Sequence, residues 1–143
     1  MKNLSEMNTS VDVFLGGTCN NSTWRNELIP LLKNKGITYF NPVVDDWTPE
    51  CQEIENWHKV NDNYSLFVIT KEMTGVFSIA ELIDLSNKQP TRTIIMFMYD
   101  GFDKGQAKSL KATEDLAKSN GAFVCQSYDD IIEVLQTGTL SKQ

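Results

Sequence analysis

The stretch Tyr64-Ser-Leu-Phe-Val-Ile-Thr70 decides how the rest of the chain is read. It holds seven residues without a charge, rich in β-branched and aromatic side chains. A strand that is apolar on both faces belongs in the middle of a parallel sheet, covered by helices above and below. Working outward, Val11-Asp-Val-Phe-Leu-Gly-Gly17 reads as a second buried strand ending in glycines. Further strand signals lie at 37–42 (ITYFNP), 91–99 (TRTIIMFMY) and 122–126 (AFVCQ). Between them come helical patterns at 23–35, from the Thr48-Pro49 start to about Asn61, at 78–88, at 104–119 and at 129–136. Pro30 is awkward inside the first helix, because it removes a backbone donor, so a kink or an early end is expected there. Strand and helix alternate five times. That implies a parallel sheet with helices on both faces. Five strands favour a flavodoxin-like three-layer α/β sandwich of order 2-1-3-4-5.

The chain has 143 residues, 41% hydrophobic and 22% charged, with a formal charge of −6. That suits one domain with one core, here residues 11–136, between a polar extension (1–10) and a flexible tail (137–143). The negative charge argues against polymeric nucleic acid and anionic membrane as partners. No apolar run approaches the roughly 20 residues that span a bilayer. Cys19, Cys51 and Cys125 are odd in number and far apart. Reduced thiols, a cytoplasmic chain and no metal site are therefore expected.

In such a sheet, ligands bind beyond the carboxyl ends of the strands, so the loops at 16–24, 41–48, 70–77 and 99–104 matter most. The first carries Gly16, Gly17, Thr18 and Asn20, with Arg25 in the next helical turn. The glycines would let a backbone approach a ligand, and Arg25, opposing the helix dipole, invites an anion. The bland alternative is a polar turn capped by Ser22 or Thr23, with Arg25 in solvent. The second loop carries Asn41, Asp45, Asp46 and Trp47. An aromatic face beside carboxylates suits a nucleobase, and a solvated turn is the alternative. The third leads through Met73 into Ser78 and Glu81. Ser-x-x-Glu is capping-box spacing, yet a glutamate at the top of a parallel sheet can also be a nucleophile. His58 reads as a surface residue, and Trp24, Trp47 and Trp57 as exposed side chains suited to an interface.

Three segments taken in order, VFLGGTCNNSTWR, YFNPVVDDWTPE and YSLFVITKEMTGVFSIAELIDLS, resemble the nucleoside 2-deoxyribosyltransferase-like family, over about residues 11–97. The resemblance implies cleavage or transfer at the N-glycosidic bond of a nucleoside or its 5′-monophosphate, with no cofactor and a homodimer or larger assembly. It implies that Glu81 is the nucleophile, in a pattern like Asp-x-Gly-Thr-x-x-Glu. Here Gly75 stands in place of the aspartate, Phe77 of the glycine and Ser78 of the threonine. Asp46 is the candidate proton donor to the base and Asp45 its reserve. Trp47 and Met73 would flank the base, while Gly16, Gly17, Thr18 and Arg25 would hold the sugar or its phosphate. A non-catalytic nucleotide-sensing module and a ligand-free interaction domain are the competing expectations.

Overall fold

The computed structural model describes residues 9–141. The remainder of the expected N-terminal extension (1–8) and the last two residues of the tail lie outside them. The strands are β1 (Val13–Gly17), β2 (Tyr39–Phe40), β3 (Tyr64–Ile69), β4 (Thr93–Phe97) and β5 (Phe123–Val124). The helices are α1 (Trp24–Asn34), α2 (Pro49–Asn61), α3 (Phe77–Lys88), α4 (Lys104–Asn120) and α5 (Tyr128–Thr137). All pairings are parallel, in the order β2-β1-β3-β4-β5. The uncharged stretch is thus the central strand, and it pairs along its length with β1 and β4.

Side-chain alternation along the strands divides the core into two layers. Val13, Leu15, Leu66, Val68, Ile94 and Met96 face α1 and α5, meeting Trp24, Leu28, Leu32 and Ile131. Phe14, Phe67, Ile69, Ile95 and Phe97 face the other way, meeting Ile54 of α2, Leu82 and Leu85 of α3, and Leu110 of α4. The edge strands β2 and β5 are far shorter than their apolar runs, since each has a neighbour on one side only. The chain enters β4 through a 3-10 turn, Pro90–Arg92, where strand was expected. Pro30 does not break α1. It stands on the solvent face, where water can take up the carbonyl it leaves unpaired. After α5, Leu140 packs on the first core layer and Ser141 N–H donates to Glu133 at 3.2 Å.

Three expectations about exposure are overturned. Trp57 is half-buried, its ring edge-on to His58 with centroids 5.0 Å apart. Trp24 is 1% exposed, and its indole N–H donates to the Thr18 carbonyl at 2.9 Å. His58 is also 1% exposed. It follows Ile54 by one helical turn and so shares the inward stripe of α2. Its ring stacks on Phe40 at 3.8 Å, and Nδ1 meets the Asp62 carboxylate at 2.8 Å. Burial raises the Asp62 pKa, although the Val11 amide and His58 work against that rise.

The glycines that end β1 serve the sheet. A methyl at Gly16 would press on the Phe67 and Phe14 rings, at 2.7 and 2.9 Å. At Gly17, where φ is +113°, it would lie 2.2 Å from the Val68 carbonyl oxygen. Gly17→Ala is therefore expected to cost more than about 1 kcal/mol of stability in urea unfolding, because a left-handed backbone and a backbone clash act together.

Candidate active site

The topology gathers four loops at the carboxyl edge of the sheet. The loop after β1 is stitched to the end of β3. Thr18 N–H donates to the Val68 carbonyl at 2.9 Å, and Thr70 N–H donates to Thr18 Oγ1 at 3.0 Å. Asn20, at φ 47°, donates through Nδ2 to the Glu72 carbonyl at 2.7 Å and to Thr74 Oγ1 at 3.2 Å. These bonds fix the loop after β3 against the loop after β1.

Arg25 takes the opposite course from either expectation. It is 6% exposed, neither in solvent nor reaching out for an anion. Nε and Nη2 donate to the Leu15 carbonyl at 3.1 and 2.9 Å, and Nη1 donates to the Thr18 carbonyl at 2.8 Å. The guanidinium carbon lies 4.3 Å from the Trp24 ring centroid. Burial pushes the Arg25 pKa down, opposed by Cys19 and Glu55. The side chain folds back from the first turn of α1 and closes the loop's own carbonyls. Gly16, Gly17 and Thr18, expected to cradle a sugar or phosphate, are likewise buried, and Thr18 spends its amide and hydroxyl on β3. Asn20 spends its amide group on the third loop.

The second loop is open. Asn41 Oδ1 accepts from Val43 N–H at 3.1 Å, which sets the turn. Asp45, Asp46 and Trp47 are exposed, Trp47 by 57%. Among the described residues, no hydrogen bond or ion pair joins Asp45 or Asp46 to Glu81.

The third loop removes the capping alternative at Glu81. Val76 is the N-cap of α3, without a side-chain cap bond, and Phe77 is the first helical residue. Ser78 lies inside the helix, so the capping box suggested by its spacing with Glu81 does not form. The capping box in this fold is at α4, where Asp103 and Gln106 exchange bonds. Glu81 Oε2 instead makes an ion pair with Lys59 Nζ of α2. Both side chains are largely buried, 17% exposed for Glu81 and 11% for Lys59. Glu81 Oε1 carries no hydrogen bond from the described residues. Met73 is half-buried against the second core layer, and Ser78 is half-buried. Phe77 is 64% exposed, with its ring centroid 5.7 Å from Lys59 Nζ.

Lys59 is the residue that the sequence did not reveal. Its signal was positional: it stands beside the Ile54–His58 stripe, on the shoulder of α2 that faces the next helix. Its carbonyl accepts from Ser65 Oγ and Gln89 Nε2, both at 3.0 Å. Among the described residues, no helix is long and apolar enough to cross a membrane.

Comparison with known proteins agrees with the ordered motifs. No curated protein matches the chain. Residues 10–100, from just before β1 to just past β4, match the family described as nucleoside 2-deoxyribosyltransferase like. That span contains the first three loops, Lys59 and Glu81, and it leaves α4, β5 and α5 outside. The chain belongs to the nucleoside 2-deoxyribosyltransferase-like family.

Proposed function

We propose that the protein breaks the N-glycosidic bond of a nucleoside, with Glu81 as nucleophile. Family membership suggests glycosyl-transfer chemistry in general. One observation supports the finer reading: the Glu81 carboxylate leaves the cap of α3 unmade, with one oxygen on Lys59 and the other without a partner among the described residues.

Glu81 Oε1 attacks C1′ as the C1′–N bond breaks. The transition state is oxocarbenium-like, and a carboxylate beside C1′ stabilises that developing charge even before the new bond is complete. The departing base takes a proton, for which Asp46 is the candidate and Asp45 the reserve. Water or a second base then attacks C1′ from the opposite face. That step releases the carboxylate and gives overall retention. Trp47 and Met73 flank the base in this account, and Asn41 and Ser78 contribute polar edges. A homodimer remains part of the proposal, with exposed Trp47 available to a neighbour.

The substrate is the free nucleoside in preference to its 5′-monophosphate. Arg25 is committed to backbone carbonyls. The loops and helix starts at this edge carry Asp45, Asp46, Glu50, Glu72, Asp100 and Asp103 against Lys71 and Lys104. A phosphate dianion would be repelled there. Incubation with matched nucleosides and monophosphates, assayed for free base, is expected to show kcat/KM about tenfold lower for the phosphorylated member. A preference for the monophosphate would contradict this choice.

A non-catalytic binding module is favoured by one observation, that Lys59 already occupies Glu81. It predicts a ligand-dependent thermal shift following RT ln(1 + [L]/Kd), with no base released.

A further inference from the structure

We propose that Lys59 positions the Glu81 carboxylate for attack on C1′. This rests on the glycosidase reading above. A glutamate on an exposed helical face samples several rotamers, and a nucleophile must be held within a fraction of an ångström of its line of attack. Glu81 has one described partner, Lys59, which engages Oε2 and leaves Oε1 free. One oxygen is fixed and the other is available, as a nucleophilic carboxylate requires.

The lysine is itself anchored. Its carbonyl is held by Ser65 from β3 and by Gln89 at the end of α3. The next turn is gathered by Arg92, whose guanidinium donates to the Val60 carbonyl at 3.3 Å and the Asp62 carbonyl at 3.2 Å. The base of the Lys59 side chain is thus tied to the central strand and to the helix that carries Glu81. The Phe77 ring lies within cation–π range of Nζ. Phe77 occupies the place of a small residue in the family pattern, so its contact with the ammonium adds to what holds Lys59 over α3. A surface tie between two helices would need none of this anchoring, and exposed ion pairs of that kind contribute little.

The test is steady-state base release by wild type, Lys59→Met, Lys59→Gln and Lys59→Arg, with folding checked by circular dichroism. Lys59→Met is expected to lower kcat about a hundredfold, the loss that a misplaced catalytic group produces, with KM little changed. Lys59→Arg, which keeps a cationic donor, is expected to restore most of kcat. Should the methionine variant not fold, Lys59→Gln gives the same reading with its charge removed. Unchanged kcat in a folded Lys59→Met or Lys59→Gln protein, with only the melting temperature lowered, would overturn the positioning role while leaving wild-type activity and its dependence on Glu81 intact. No base release by wild type from any nucleoside would instead remove the glycosidase reading, and this proposal with it.

Discussion

Glu81→Gln is expected to abolish base release, with a loss of more than about a thousandfold in kcat, the scale seen when a covalent nucleophile is removed. The amide cannot form the glycosyl ester, yet its carbonyl can still accept from Lys59, so the contact between α2 and α3 persists. The pair is largely buried, 17% exposed for Glu81 and 11% for Lys59, and the substitution keeps the hydrogen bond while removing the charge attraction. Stability is therefore expected to fall by about 1–3 kcal/mol in urea unfolding. The two readouts together separate chemistry from architecture. A capping glutamate would have made the opposite forecast, since glutamine serves equally well in a capping box. The absence of a side-chain cap at Val76 already removes that account of the residue.

Arg25→Ala is expected to cost about 2–4 kcal/mol of stability in lost charged hydrogen bonds and packing, a large part of the roughly 5–15 kcal/mol that holds a domain of this size together. The substitution deletes donors to the Leu15 and Thr18 carbonyls and removes the guanidinium packed on Trp24. The Thr18 carbonyl keeps Trp24 and Ser22 as donors, but the buried Leu15 carbonyl loses both of its guanidinium donors, the expensive way to lose a hydrogen bond. Arg25→Lys is expected to recover only part of the loss, because an ammonium cannot span two carbonyls with the geometry of a planar fork. Equilibrium denaturation of the three proteins checks this. If Arg25 were instead a ligand for a substrate phosphate, Arg25→Ala would leave the denaturation midpoint in place and weaken only the binding of monophosphates.

The parallel sheet and its order were legible because apolar periodicity is a local property. The run 64–70 could only be a central strand. The glycines at 16–17 and the alternation of strand and helix left few ways to connect it. Side chains whose environment is set by distant parts of the chain were not legible in the same way. His58 sits among Glu53, Glu55 and Lys59, which reads as a solvated helix, yet Phe40 and Asp62 enclose it. Arg25 reads as a free cation until the loop after β1 folds back over it. The Ser78–Glu81 spacing predicts a cap, but α3 starts at Phe77, two residues too early for Ser78 to stand outside the helix. The Lys59–Glu81 pair spans 22 residues, and no local pattern announces it. Gly16 and Gly17 read in sequence as room for a ligand, and in the fold they admit β3 and its aromatic ring. Polar residues near a sheet's carboxyl edge are thus ambiguous in sequence, since the same groups that could meet a ligand can also tie one loop to another.

The most direct measurement is the mass of the protein itself. Wild-type protein is mixed with a panel of nucleosides, quenched in acid, and examined intact and after proteolysis. The account predicts a pentosyl adduct on the peptide that contains Glu81, absent from the Glu81→Gln protein. Release of free base with no adduct at Glu81, and with equal release by the Glu81→Gln protein, would contradict it.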